Sequence, residues 1–319
     1  MSGEPVDRRG LFRDLFRQAT DAIVPALEDR FAPLIGDPEP GPASVRRTAT
    51  PEELQSAAAD FGLQAHGEEI ARLASRSLQL LPAVHGGHGP VSFGGRPLFE
   101  EGVEWPAWQG RPLTFLAELE AGEPWGRLLF FYDAVGRPSG CLAAHRGSAR
   151  VLSADGRLTP ADGPALPELA VPGHVAVELV LPPARSGEVE SLALSPPERE
   201  AWEALREELA SMQGAQLADR AGAPFRAVHR VFGYPHADAI EMALTCELTT
   251  AGEDVIEGRA RLHARAPELA PRAARWQLLA QFSGDGKLSW PWVAQRIYFW
   301  VDRDALARGE LEQVWALAR

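Results

Sequence analysis

The sequence predicts an α+β protein, mainly β, in which an antiparallel β-rich domain follows a set of N-terminal helices. Three observations carry this. Apolar residues recur at helical spacing before about residue 80. From Pro82 onward Gly, Pro and aromatic residues dominate, with short alternating or apolar runs between turn residues. These runs do not alternate regularly with helices, so a doubly wound parallel sheet is not expected.

Residues 8–34 read as an amphipathic helix. Leu11, Leu15, Ile23 and Leu27 share one stripe, with Phe12 and Phe16 beside them and Pro25 as a kink or stop. Arg8, Arg9, Arg13 and Arg17 crowd its first turns, where the helix dipole prefers anions. Such a helix packs on the main domain or docks on a membrane surface or a partner. Residues 36–42, GDPEPGP, are a linker by composition. Thr50, Pro51 and Glu53 then form a helix start, with Leu54, Ala57, Ala58 and Phe61 as its apolar face. Glu68 to Leu80 suits a further helix. The expected division is a helical extension over 1–84 and a β-rich domain over 85–319.

In that second part LTFLAEL (Leu113–Leu119) and RLLFFYD (Arg127–Asp133) read as paired strands joined through Gly122 and Pro124. CLAAHR, ARVLSA, HVAVELVL, AIEMALTCELTT, WQLLAQF, KLSW and RIYFWVD read as further strands, and LEQVWALA as the last, after a short turn or helix at DALARG. Asp155-Gly156 and Asp285-Gly286 suit tight hairpins. One strong helix interrupts the strands. Ser195 caps it, Pro196 begins it, and Trp202, Leu205, Leu209 and Met212 lie along one side.

The composition narrows the function. The chain of 319 residues is 45% hydrophobic and 24% charged, which permits a packed core. A net charge of -12 argues against general nucleic-acid binding, which needs a basic face; it permits a basic partner, and simple solubility is the plainer reading. Lys287 is the only lysine, a compositional bias that argues against reading each Arg as a chosen guanidinium. Cys141 and Cys246 lie far apart in sequence and form neither a disulfide framework nor a CxxC pair. A reducing cytoplasm is the expected location. No run approaches the length of a membrane span. DRRGLFR (Asp7–Arg13) echoes an export signal, but charged residues follow it where an apolar stretch is needed.

Several groups are candidates for chemistry. The HGGHG stretch at His85–His88 offers two nitrogens without the third and fourth ligands that zinc wants, so no metal or other cofactor is expected. His229 and His236 flank a GYP turn close to Asp238 and Glu241, a set that suits general-base work in a hydrolase. The plainer reading of His229 is a satisfied core histidine. Glu100, Glu101 and Glu104 read as a solvated acidic loop. Trp105, Trp108, His229, Tyr234, His236, Trp290 and Trp292 are the candidates for contact with a ligand or partner. Trp105 and Trp108 serve equally as anchors for a stiff loop. Signatures of nucleotide, zinc-protease and serine-esterase sites are missing.

The landmarks FGGRP (Phe93–Pro97), EWP (Glu104–Pro106), GRPLTFLAEL (Gly110–Leu119), LLFFYD (Leu128–Asp133), HRVFGYP (His229–Pro235) and LLAQFSGDGKLSWPW with RIYFWVD (Leu278–Asp302) occur in the order of a known family. The chain resembles the YwqG-like family, a bacterial domain of unknown function. The resemblance spans residues 85–319 and leaves the N-terminal helices outside. It implies a mainly β, roll-like domain and transfers no catalytic residue. Some immunity proteins against bacterial toxins are similar in genomic role, which implies toxin neutralisation or other protein binding. The chain departs from the family at HADAIEM after the GYP turn, at Trp290, Pro291 and Trp292, and at Glu118, where relatives carry other polar groups.

Overall fold

The computed structural model describes residues 51–82, 89–122, 125–155, 157–212, 228–236, 238–284, 288, 290 and 295–319. The N-terminal segment 8–34, the 36–42 linker, residues 85–88 of HGGHG, the Asp285-Gly286 turn and Trp292 lie outside the described residues. The fold is α+β, mainly β, as the sequence predicts.

Its centre is an antiparallel ten-stranded sheet. In chain order the strands are β1 (Ser75–Pro82), β2 (Val91–Phe93), β6 (Thr114–Gly122), β7 (Gly126–Tyr132), β8 (Ala149–Ala154), β10 (Val171–Val180), β11 (His229–Val231), β12 (Trp276–Ser283), β13 (Arg296–Asp302) and β14 (Trp315–Ala318). Across the sheet they run β14-β13-β12-β11-β1-β10-β2-β6-β7-β8. Two small pairs flank it: β3 (Leu98–Glu100) with β9 (Leu158–Pro160), and β4 (Ala107–Trp108) with β5 (Arg111–Pro112).

The sheet rolls until its ends approach. Ala149 and Val151 of β8 share one core cluster with Ala316 and Ala318 of β14. Arg150 Nη1 donates to the Glu312 carbonyl at 3.0 Å, and Ala318 N to the Ser139 carbonyl at 3.1 Å. The rolled interior holds Phe93, Phe130, Phe282, Trp290 and Phe299. Phe130 meets Phe282 edge-on at 5.1 Å between centroids, a preferred aromatic geometry.

Helices pad the outside. α1 (Pro51–Asp60), α2 (Gly67–Leu73) and α4 (Pro196–Met212) pack together around Leu54, Ile70, Trp202, Leu205 and Leu209, against Leu179 and Leu181 at the end of β10. The short α3 (Gly187–Glu190) adds Val189 to this cluster. α5 (Ala239–Thr250) lies over Leu278, Tyr298, Trp300 and Leu317, with α6 (Ala266–Ala273) behind it. α7 (Arg303–Ala307) follows β13 at the DALARG stretch.

Five expectations are corrected. The helix expected over Glu68–Leu80 ends at Leu73, where Ala74 turns to extended backbone. The residues beyond it form β1, held between β10 and β11. AIEMALTCELTT is the helix α5 and not a strand. CLAAHR is a bend with a single 3₁₀ turn at Ala143–His145. KLSW is not a strand at its described residues Leu288 and Trp290. Asp155 does not lead a hairpin, because β9 pairs with β3 and not with β8. The paired strands LTFLAEL and RLLFFYD, the α4 start at Pro196 and the final strand fall where the sequence places them.

Candidate functional site

The candidate residues separate into three places. Trp105 and Trp108 belong to the loop and small hairpin after β3. Trp105 stacks on Phe99 at 5.4 Å, meets Phe131 edge-on, and donates Nε1 to the Leu113 carbonyl at 2.7 Å. Trp108 donates Nε1 to the Arg146 carbonyl at 2.9 Å and sets its ring against His145. Both indoles spend their polar atom on backbone, as anchors do.

His229 and Trp290 meet in the rolled core. His229 is 2% exposed, with Phe93 and Trp290 each 5.2 Å from its ring. Its Nδ1 accepts from Ser283 N at 3.4 Å. Trp290 Nε1 donates to the Leu166 carbonyl at 2.9 Å. The core-histidine reading is therefore the one the geometry matches.

Tyr234 and His236 lie on the turn after β11. Tyr234 Oη donates to the Leu73 carbonyl at 3.1 Å, tying the turn to α2. The Tyr234 carbonyl accepts from Arg230 Nη1 at 3.1 Å. His236 N donates to Gln281 Oε1 at 2.9 Å, and its exposed side chain borders a groove.

That groove, about 730 Å³, is lined by the first turns of α4, by Pro183, Ala184 and Arg185, and by His236 and Asp238. Sequence reading missed it, because its walls come from segments that only the fold brings together. Arg206 is part of its floor, bonded through Nε to the Leu181 carbonyl at 3.1 Å and paired with Glu203. Burial lowers the Arg206 guanidinium pKa, and Glu203 opposes that shift. Arg199, Glu200 and Glu207 stand along the α4 wall.

The carboxylates named with the histidines hold structural posts. Asp238 caps α5, accepting from Glu241 N at 3.0 Å, and lies 3.6 Å from Arg261. Glu241 accepts from the backbone N–H groups of Ala260 and Arg261. The structure thus brings His236 and Asp238 to one groove, seats His229 in the core and occupies Glu241 elsewhere. Among the described residues no group of three or more His, Cys, Asp or Glu is arranged to hold a metal ion.

Behind the groove the sheet carries a polar row. Register aligns Gln79 with Arg230, Arg230 with Gln281, and Gln281 with Tyr298 across β1, β11, β12 and β13. Arg230 Nη2 pairs with the buried Glu178 at 2.8 Å, crossing over β1. Glu118 sits elsewhere, on β6, paired with Arg127 at 3.0 Å. Burial raises its carboxyl pKa, and Arg127 opposes the shift.

This architecture coincides with a match between residues 92–318 and a family model described as a domain of unknown function, DUF1963. The chain belongs to the DUF1963 family. In this DUF1963 protein the matched region runs from β2 to β14 and takes in Trp105, Trp108, His229, Tyr234, His236, Trp290 and Trp292. α1, α2 and β1 precede it. No curated protein matches the sequence. No helix among the described residues is long and apolar enough to cross a membrane.

Proposed function

We propose that this DUF1963 chain is a non-catalytic protein-binding module of the YwqG-like type, with an immunity-like or regulatory role in a bacterial cytoplasm. The observation that carries this reading is that His229 packs in the rolled core while Asp238 caps α5 and Glu241 accepts from backbone N–H groups. The family landmarks support it, and so does the net charge of -12, which suits a basic protein partner and not a nucleic acid. Leu142 and Ile256 supply an apolar contact on the outside, 40% and 69% exposed. The hydrogen bond from Val255 N to the Cys141 carbonyl, 2.7 Å, sets their segments side by side. The basic stretch at Arg8–Arg17 supplies a second contact, to the partner or to an anionic membrane surface.

A hydrolase is the second reading, favoured by one observation: His236 and Asp238 border the same groove. Affinity capture from the native host followed by calorimetry with the purified partner decides between them. The full chain is expected to bind one partner stoichiometrically, and Ile256→Asp to weaken binding about tenfold or more. A chain lacking residues 1–45 is expected to stay folded and bind more weakly. Failure to recover any stoichiometric partner, together with hydrolysis of an ester or phosphoester lost in Asp238→Asn, overturns the proposal.

A further inference from the structure

The groove beside α4 carries charges of both signs, several without an ion-pair partner among the described residues. Three hydrogen bonds fix which flank of α4 faces the wall formed by Pro183, Ala184 and Arg185. Trp202 Nε1 donates to the Pro182 carbonyl at 2.8 Å, Arg206 Nε to the Leu181 carbonyl at 3.1 Å, and Ala184 N to Glu203 Oε1 at 2.6 Å. Arg199 stands about two turns before Arg206 and so shares its flank. Glu200 and Glu207, also about two turns apart, stand one residue further round, at the outer rim, and are exposed.

Arg206 is held at the floor. Nε and Nη1 are taken by the Leu181 carbonyl and by Glu203, and Nη2 makes no hydrogen bond among the described residues. Arg185, Arg199, Glu200 and Glu207 line the same groove and make no ion pair among the described residues. Exposed charges without partners are ordinary on a surface. Here they border one hollow of about 730 Å³, within the size range of small-molecule sites, with an oriented guanidinium at its floor.

We infer that the groove binds a small zwitterion of the amino-acid or short-peptide class, with its carboxylate turned in to Arg206 and Arg199 and its ammonium turned out to Glu200 and Glu207. The inference goes beyond the protein-binding reading and does not depend on it. The N–H groups of Arg206 Nη2 donate to a carboxylate oxygen in a charge-assisted bond. Arg199 and Arg185 add positive potential around that oxygen. A ligand with only an anionic group gains these contacts but brings its charge near Glu200, Glu203 and Glu207. A ligand with only a cationic group suits the rim carboxylates, yet it leaves Arg206 Nη2 unbonded and meets the arginines. A ligand with both signs satisfies the floor and the rim together.

The test is calorimetry on the full chain at low salt. The probes are the free L-amino acids taken singly, L-alanyl-L-alanine and inorganic phosphate. Binding of a free amino acid assigns the smaller ligand, and binding of the dipeptide alone assigns the peptide. The zwitterion that binds is then compared with its carboxamide and its N-acetyl form, each expected to bind about tenfold more weakly. Arg206→Gln is expected to weaken the zwitterion about tenfold and Arg199→Ala about threefold. Glu200→Gln combined with Glu207→Gln is expected to weaken it about three- to tenfold but to leave the N-acetyl form no weaker, because that form has no ammonium to lose. Arg206 also anchors the turn after β10, so Arg199→Ala and the paired Gln variant, both at exposed positions, carry the test if Arg206→Gln fails to fold. The inference is overturned if none of the zwitterions binds, or if phosphate, the carboxamide or the N-acetyl form binds as tightly as the zwitterion. It is also overturned if affinity is unchanged in both Arg199→Ala and the paired Gln variant.

Discussion

At the scale of single residues the FGGRP turn shows how sequence reading and structure meet. Gly94 and Gly95 adopt φ of 62° and 76°, the left-handed region that side chains disfavour. Gly94 N donates to the Leu116 carbonyl and Gly95 N to the Pro167 carbonyl, at 2.8 and 2.9 Å. The backbone is close enough that a Cβ at Gly94 would stand 2.0 Å from the Pro167 oxygen. The glycines and the indoles of Trp105 and Trp108 were legible as architecture, because turn chemistry is local. The Pro167 partner was not legible, since nothing in FGGRP points to a residue some seventy positions later. Gly94→Ala combines left-handed strain with a backbone clash. It is expected to cost about 3 kcal/mol or more in urea unfolding, with Gly102→Ala, which meets open space, costing clearly less.

At the scale of elements the successes and failures have separate causes. α4 was readable because its signals agree. The Ser195 hydroxyl and N–H both donate to Glu198 Oε2, at 2.5 and 2.8 Å, and the apolar residues fall on one side. α5 was misread because its composition suits a strand and its helical stripe is hidden. Met242 and Cys246 face the sheet while Leu244 and Leu248 face α6, so the helix is apolar on two sides. Its threonines take their hydrogen bonds inside the helix, Thr245 to the Glu241 carbonyl at 2.8 Å and Thr249 to that of Thr245 at 2.7 Å. Asp238 was weighed as a catalytic carboxylate, whereas its position just before AIEM is that of a helix cap. Trp202 tests how much the α1–α2–α4 cluster matters to the sheet. It is fully buried, and Nε1 donates to the Pro182 carbonyl at 2.8 Å. Trp202→Ala is expected to destabilise the protein by about 3–5 kcal/mol in chemical denaturation. Loss of helical signal alone, with near-ultraviolet signal from the core aromatics kept, would show instead that the helices unfold apart from the roll.

At the scale of the molecule the roll is closed by pairings of very different sequence separation. The β6–β7 hairpin is local, and the sequence announced it, whereas β12 and β13 pair directly although the sequence suggested a further strand at KLSW between them. β1 is different. Its central place between β10 and β11 joins the early helical region to the middle of the sheet, and an amphipathic reading carried the helix pattern straight through it. The buried Glu178–Arg230 pair reaches across β1 and binds its two neighbours directly, with the side chains 2% and 8% exposed. Burying two charges is costly in itself, so the pair is expected to define which strands sit together more than to add net stability. Removing only the cation isolates a carboxylate in the interior. Arg230→Ala is therefore expected to cost about 3–5 kcal/mol, while adding Glu178→Gln to it restores about 1 kcal/mol or more by removing the uncompensated charge. A double-mutant cycle in urea measures both. Equal losses for the single and double variants would mean that Arg230 acts through its hydrogen bond to the Tyr234 carbonyl, holding the GYP turn against the groove, and not through the ion pair. The two roles are separable, because Glu178→Gln alone leaves the turn bond intact. If the turn is what Arg230 secures, that variant changes stability little, while Arg230→Ala loosens His236 at the groove rim.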